Sequence, residues 1–286
     1  MIKTFTFILC LLGSVSTAAE HSWVVSAQGM KVWFQSFQSN EAKAKTRGVL
    51  VLVPGYNGLG QEMLDARWKT FAEKNQLVLL APTFQAEGNE NNQGKGYYYP
   101  EQGSGEVMEK ALRELKRLTG ANTDKVLFFG FSAGAHFSHR FALWKPQRVK
   151  AFVAYSAAWW SEPTEVVRNV PALIMCGEAD DRYAATYEFF RKGHKLGCPW
   201  LWRSYDDTEH VLTPTVRAMA ESFLTHYMHS SNVKPELPSY GDIQTLLTQK
   251  KPENRLLRIC ASISLVLKSR EFGENRRSNH ESGNAD

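Results

Sequence analysis

Gly130-Phe131-Ser132-Ala133-Gly134 fits the pattern G-x-S-x-G. A serine hydroxyl attacks a carbonyl only when a base takes its proton and nearby donors accept the negative charge that develops. The pattern serves that chemistry where a strand runs into it and a helix leaves it. Residues 125–130 (KVLFFG) read as the strand and residues 133–144 as the helix. A turn that tight leaves no room for side chains at its flanks, hence glycine at both. Ser132 is the candidate nucleophile, and the N–H of Ala133 falls at the helix start, where an oxyanion would sit. A merely structural glycine turn is the competing interpretation, and the strand–turn–helix setting argues against it.

The elements that must hold this turn alternate along the chain. Short apolar runs read as strands at 48–53 (GVLVLV), 77–81 (LVLLA), 125–130, 149–155 (VKAFVAY), 172–176 (ALIMC) and 200–205. They are nearly all apolar, as strands covered on both faces are. Amphipathic stretches at 61–74, 105–118, 133–144, 183–195 and 214–228 read as helices between them. The pattern predicts a mainly parallel sheet flanked by helices. Segments 22–26 and 31–37 predict an antiparallel edge hairpin turning near Gln28-Gly29. Residues 84–104 form a long polar loop that ends in Tyr97-Tyr98-Tyr99-Pro100, and loops of that length tend to be functional or mobile.

The 286 residues are 43% hydrophobic and 22% charged, a globular composition, and 34 Lys+Arg against 29 Asp+Glu give a net charge of only +5. The charges are interspersed, so no nucleic-acid partner is expected. Residues 1–19 carry Lys3, an apolar run from Phe5 to Leu12 and small residues up to Ala18 and Ala19, the layout of a secretory signal. That run is too short to span a bilayer. The expected domains are a signal peptide at 1–19, a catalytic domain at 20–229, and a linker and partly disordered tail at 230–286. The tail contains an apolar patch at 256–267, for which a small docked helix is preferred over a membrane-surface element. The protein is expected to be secreted or periplasmic, with no stable membrane insertion. Cys10 would leave with the signal, and Cys176, Cys198 and Cys260 form no zinc-ligand pattern, so no metal or cofactor is implied.

On the elbow and its setting, residues 22–229 resemble the α/β-hydrolases. Pro54-Gly55-Tyr56-Asn57 follows the strand GVLVLV, where the family usually has His-Gly and then an oxyanion residue. Proline replaces that histidine and leaves a backbone donor, so the resemblance implies Tyr56 N–H as the second oxyanion donor beside Ala133. The stretch 140–149 is also similar to the family's join between nucleophile helix and next strand. The family's order is Ser, acid, His, with each partner just beyond a later strand. Its usual three-residue spacing after the strand's glycine selects Asp180 in Gly177-Glu178-Ala179-Asp180-Asp181, with Glu178 and Asp181 as competitors and Asp181 suited to capping the next helix. Of the eight histidines, only His210 both follows the last strand and precedes the last helix.

The connection 156–171 is too short for a folded cap, so an open site is expected. Trp159, Trp160 and Tyr98 are candidate substrate-binding residues, with core packing as their alternative. Aromatic walls suit planar or polymeric esters. Secreted, capless members similar to this chain include feruloyl and acetylxylan esterases and polyester depolymerases. The expected activity is carboxylic ester hydrolysis through an acyl-enzyme. A serine peptidase of the same fold and a catalytically silent binding protein are the alternatives.

Overall fold

In the computed structural model, which describes residues 18–84 and 96–229, the apolar runs join into one eight-stranded sheet. The strands are β1 (Ala19–Ala27), β2 (Met30–Gln38), β3 (Gly48–Val53), β4 (Leu77–Thr83), β5 (Val126–Phe131), β6 (Val149–Tyr155), β7 (Ala172–Gly177) and β8 (Trp200–Tyr205). Their order across the sheet is β1-β2-β4-β3-β5-β6-β7-β8. β2 runs antiparallel to both β1 and β4, and every pair from β4 to β8 is parallel. Gln28 and Gly29 both take positive φ (51° and 77°), the mirror-image turn whose twist matches a hairpin. The expected hairpin is therefore present and longer than its alternation suggested.

The helices are α1 (Asn40–Ala44), α2 (Gly60–Met63), α3 (Ala66–Asn75), α4 (Ser104–Thr119), α5 (Ala133–Trp144), α6 (Tyr183–Lys195) and α7 (Pro214–His229). One core lies under α4, α5 and α6, where Met108, Phe137 and Phe189 pack on Phe128 and Phe152. The other lies under α3 and α7, where Trp68, Phe71 and Phe223 pack on Phe129 and Val153. Adjacent residues Phe128 and Phe129 thus serve opposite faces, as strand geometry requires.

The single helix expected at 61–74 is two. The first ends at Met63 with Leu64 as its C-cap, and Asp65 caps the second, its Oδ1 accepting the Trp68 N–H at 2.9 Å. Among the described residues, no folded cap intervenes between β6 and β7, and the connection holds only the 3₁₀ turn Glu165–Val167. Cys176 and Cys198 are buried and free. Residues 1–17, where a signal is expected, and residues 85–95, Cys260 and the rest of 230–286 lie outside the described residues.

Candidate active site

β5 ends at Phe131, and the chain turns into α5 through Ser132 at φ 54° and ψ −115°. A non-glycine residue in that region is strained, and the surroundings hold it there. The Ser132 N–H donates to Tyr155 O at 2.9 Å, while Ser132 O accepts from Ala135 and His136 N–H at 3.0 and 3.2 Å. A Cβ on Gly130 would stand 2.2 Å from Gly134 O, and one on Gly134 would stand 2.1 Å from Val53 O. Both glycines are therefore obligatory, and the second explains why the helix start abuts the end of β3.

Three side chains from three strand ends converge. Ser132 Oγ lies 2.9 Å from His210 Nε2, and His210 Nδ1 lies 2.7 Å from Asp180 Oδ2. A carboxylate only accepts, so Nδ1 carries the proton and Nε2 is left to accept the serine hydroxyl's. The Asp180 side chain is fully buried and that of His210 is 28% exposed. The Phe131 ring supports the imidazole at 4.9 Å, near parallel. Gly177 lets the two loops meet, because a Cβ there would stand 2.0 Å from Thr208 O. Thr208 O in turn accepts the Ala179 N–H at 3.1 Å, and Tyr155 OH donates to Val211 O at 2.8 Å, so His210 is anchored on both sides.

Asp180 Oδ1 accepts from Arg182 twice, from the N–H and from Nη1, each at 3.0 Å. Burial alone would raise the Asp180 pKa. Hydrogen bonds from Arg182 N–H, His210, the Arg182 guanidinium and the Ser156 hydroxyl outweigh it and hold the carboxyl below its ordinary value. Ser156 is itself buried at φ 58° with its Oγ 3.5 Å from Cys176 Sγ, and its role at the acid was not legible in the sequence.

The expected role of Asp181 as a helix cap needs correction. α6 starts after Arg182 with no side-chain cap, Asp181 is exposed, and the nearby N–H of Arg182 bonds to Asp180 instead. The oxyanion candidates sit as follows. Ala133 opens α5, at the first helical position, where the backbone N–H lies ahead of the helix's own bonding pattern. Tyr56 lies in the loop after β3, 54% exposed, and a Cβ on neighbouring Gly55 would stand 3.6 Å from Ser132 Cβ.

The aromatic candidates divide. Tyr98 does not face solvent: it is 6% exposed and stacked on the His136 ring at 4.6 Å. Trp160 stacks on Phe189 at 4.2 Å and lies tilted against the His139 ring at 4.7 Å. Trp159 is partly exposed, 5.4 Å from the His136 ring. Sequence reasoning gives His136 and His139 no role beyond excluding them as the base, and takes Arg140 only as the start of the 140–149 join. Their spacing within one turn of the nucleophile helix was the available signal. Among the described residues, no group of His, Cys, Asp and Glu is arranged to hold a metal ion.

The chain has the α/β-hydrolase fold. No family model and no curated protein matches it. It is similar in structure to a ferulic acid esterase, with 15% identity, 74% of this chain and 97% of that one covered, and a TM-score of 0.61. Poly(aspartic acid) hydrolase-1 from Sphingomonas sp. KT-1 gives 18% identity, 72% and 98% coverage and a TM-score of 0.58. A Staphylococcus aureus fluorophosphonate-binding serine hydrolase gives 16% identity, 75% and 100% coverage and a TM-score of 0.58.

Proposed function

We propose that this protein is an exported serine hydrolase of carboxylic esters. The observation that carries the proposal is the unbroken chain from Ser132 Oγ through His210 to the buried Asp180, at 2.9 and 2.7 Å. His210 Nε2 takes the Ser132 proton as Oγ attacks the ester carbonyl. Asp180 fixes the tautomer and stabilises the imidazolium. The N–H groups of Tyr56 and Ala133 receive the oxyanion. Collapse of the tetrahedral intermediate breaks the carbon–oxygen bond, and His210 returns its proton to the departing alcohol. Water then repeats the attack on the acyl-serine, again through His210, and releases the acid.

The rim supports an apolar or planar substrate group. Tyr56, Leu59 and Val211 are about half exposed on loops at the end of the sheet that carries Ser132, and partly exposed Trp159 lies in the loop that leaves the same end of β6. The esterases among the similar structures agree with this reading, as does the absence of a cap domain between β6 and β7. Export rests on the composition of residues 1–19. Cleavage there would leave residues 20–229 as the catalytic domain and 230–286 as its tail.

Paired assays with chromogenic esters of short and aromatic acyl groups and with a chromogenic peptide test the proposal. Ester hydrolysis that vanishes in Ser132→Ala is the result expected. Peptide cleavage without ester cleavage would favour a peptidase, and inertness toward both a binding protein.

A further inference from the structure

Three consecutive inward positions of the nucleophile helix carry buried polar side chains, and all three reach the same loop. His136 Nε2 accepts the N–H of Ala158 at 3.1 Å and of Trp159 at 2.9 Å. His139 Nε2 accepts the N–H of Ser161 at 3.1 Å, with its Nδ1–H donated to Ala135 O at 2.8 Å. Arg140 donates to Ser161 Oγ at 2.8 Å, to Trp159 O at 3.0 Å and to Tyr98 O at 3.4 Å, and its guanidinium lies 4.1 Å over the Tyr99 ring. Five partly buried hydrogen bonds to one short loop are costly to arrange and costly to break, since an orphaned group pays its desolvation without return.

The loop begins beside the nucleophile. Phe131 and Tyr155 are register partners on β5 and β6, so Ser132 and Ser156 leave adjacent strand ends together. What the loop carries is Trp159, whose ring shares the His136 ring with Tyr98.

We infer that His136 is a positioning residue for substrate selection: its neutral ring, accepting two successive backbone N–H groups and backed by buried Tyr98, fixes the loop that carries Trp159 relative to Ser132 and so favours esters with a planar aryl group. The inference rests on the ester-hydrolase reading above. A double acceptor at Nε2 requires the proton on Nδ1, and one more proton would turn an acceptor into a donor facing two donors. The groups around the ring discourage that proton. Burial among the Tyr98 and Trp159 rings is the main cause, with the Arg140 and Arg182 guanidiniums and His210 adding to it and the Ser132 backbone working against it, and together they lower the His136 pKa to about 3.

The test compares p-nitrophenyl acetate with p-nitrophenyl cinnamate in wild type, His136→Ala and His136→Gln. The ratio of kcat/KM values, cinnamate over acetate, should fall about tenfold in H136A, the loss of one aromatic contact of ordinary strength, and fall mainly through KM. H136Q keeps one acceptor and should recover part of the ratio. Equal losses on both esters, or an unchanged ratio, overturn the inference while leaving the hydrolase standing. No ester hydrolysis by wild type overturns both. If H136A fails to fold, ring ¹⁵N spectra of the wild type still decide: His136 should be the neutral Nδ1–H tautomer at about pH 5, and an imidazolium or Nε2–H signal there overturns the inference.

Discussion

Asp180→Asn is the substitution whose outcome the structure constrains most tightly. Aspartate presents two accepting oxygens, one taken by Arg182 and the other by His210 Nδ1–H. Asparagine has one oxygen and one NH₂ group. Arg182 offers two donors at 3.0 Å and the imidazole only one, so the oxygen turns toward Arg182 and the NH₂ toward His210. An NH₂ facing Nδ1 forces the proton to Nε2, where it points at Ser132 and can no longer accept the hydroxyl's. The same tautomer error in a serine protease triad costs about 10⁴ in kcat, which is about 5 kcal/mol of transition-state stabilisation. Steady-state hydrolysis of p-nitrophenyl acetate measures it, with a thermal melt to show that the variant folds. Asp181→Ala is the control: that side chain is exposed and caps nothing, so turnover should hold and stability should change by no more than about 0.5 kcal/mol. Loss of less than tenfold in D180N, or a large loss in D181A, would refute the assignment of the acid.

Gly134→Ala should cost about 3 kcal/mol or more, because the new methyl meets backbone oxygen at 2.1 Å with no flexible side chain to yield; a melt close to wild type would remove the tight-elbow explanation. Stability should fall as pH drops from about 6.5 toward 3, since across that window the unfolded chain binds a proton that buried His136 refuses. Full stability is present above the window, and the loss contributed by this residue has a ceiling of about 5 kcal/mol at its acid end. Urea midpoints at pH 7 and pH 4 should accordingly differ less in H136Q than in wild type, and an equal difference would contradict the origin assigned to it. Export should leave Ala19 or Glu20 as the first residue, and an intact mass that retains Met1 and Cys10 would remove the secretory reading.

The sheet was legible because its central strands are apolar on both faces: three of the six core strands have the boundaries their composition suggests, two run one or two residues longer at the C-terminal end, and β5 is shifted by one residue. The split between α2 and α3 was missed because Asp65 acts through one hydrogen bond that periodicity does not register. The elbow was readable from five residues, since only glycine survives the approaches at positions 130 and 134. Asp180 and His210 became visible through the order of elements. What the sequence concealed is the traffic of backbone hydrogen bonds between distant segments. Asp181 looked like a cap because it immediately precedes the helix region, yet the first free N–H is taken by Asp180. Tyr98 looked like rim because its loop is polar, yet Arg140 and His136 draw it inward. His136 and His139 looked like ordinary helix residues because their partners lie more than twenty residues away.

The nucleophile is tested most directly by incubating the protein with a fluorophosphonate probe and locating the adduct by peptide mass spectrometry. Ser132 should carry the label stoichiometrically, Ser132→Ala should carry none, and His210→Ala should label far more slowly. A label on any other serine, or undiminished labelling of the S132A variant, would contradict the assignment of Ser132.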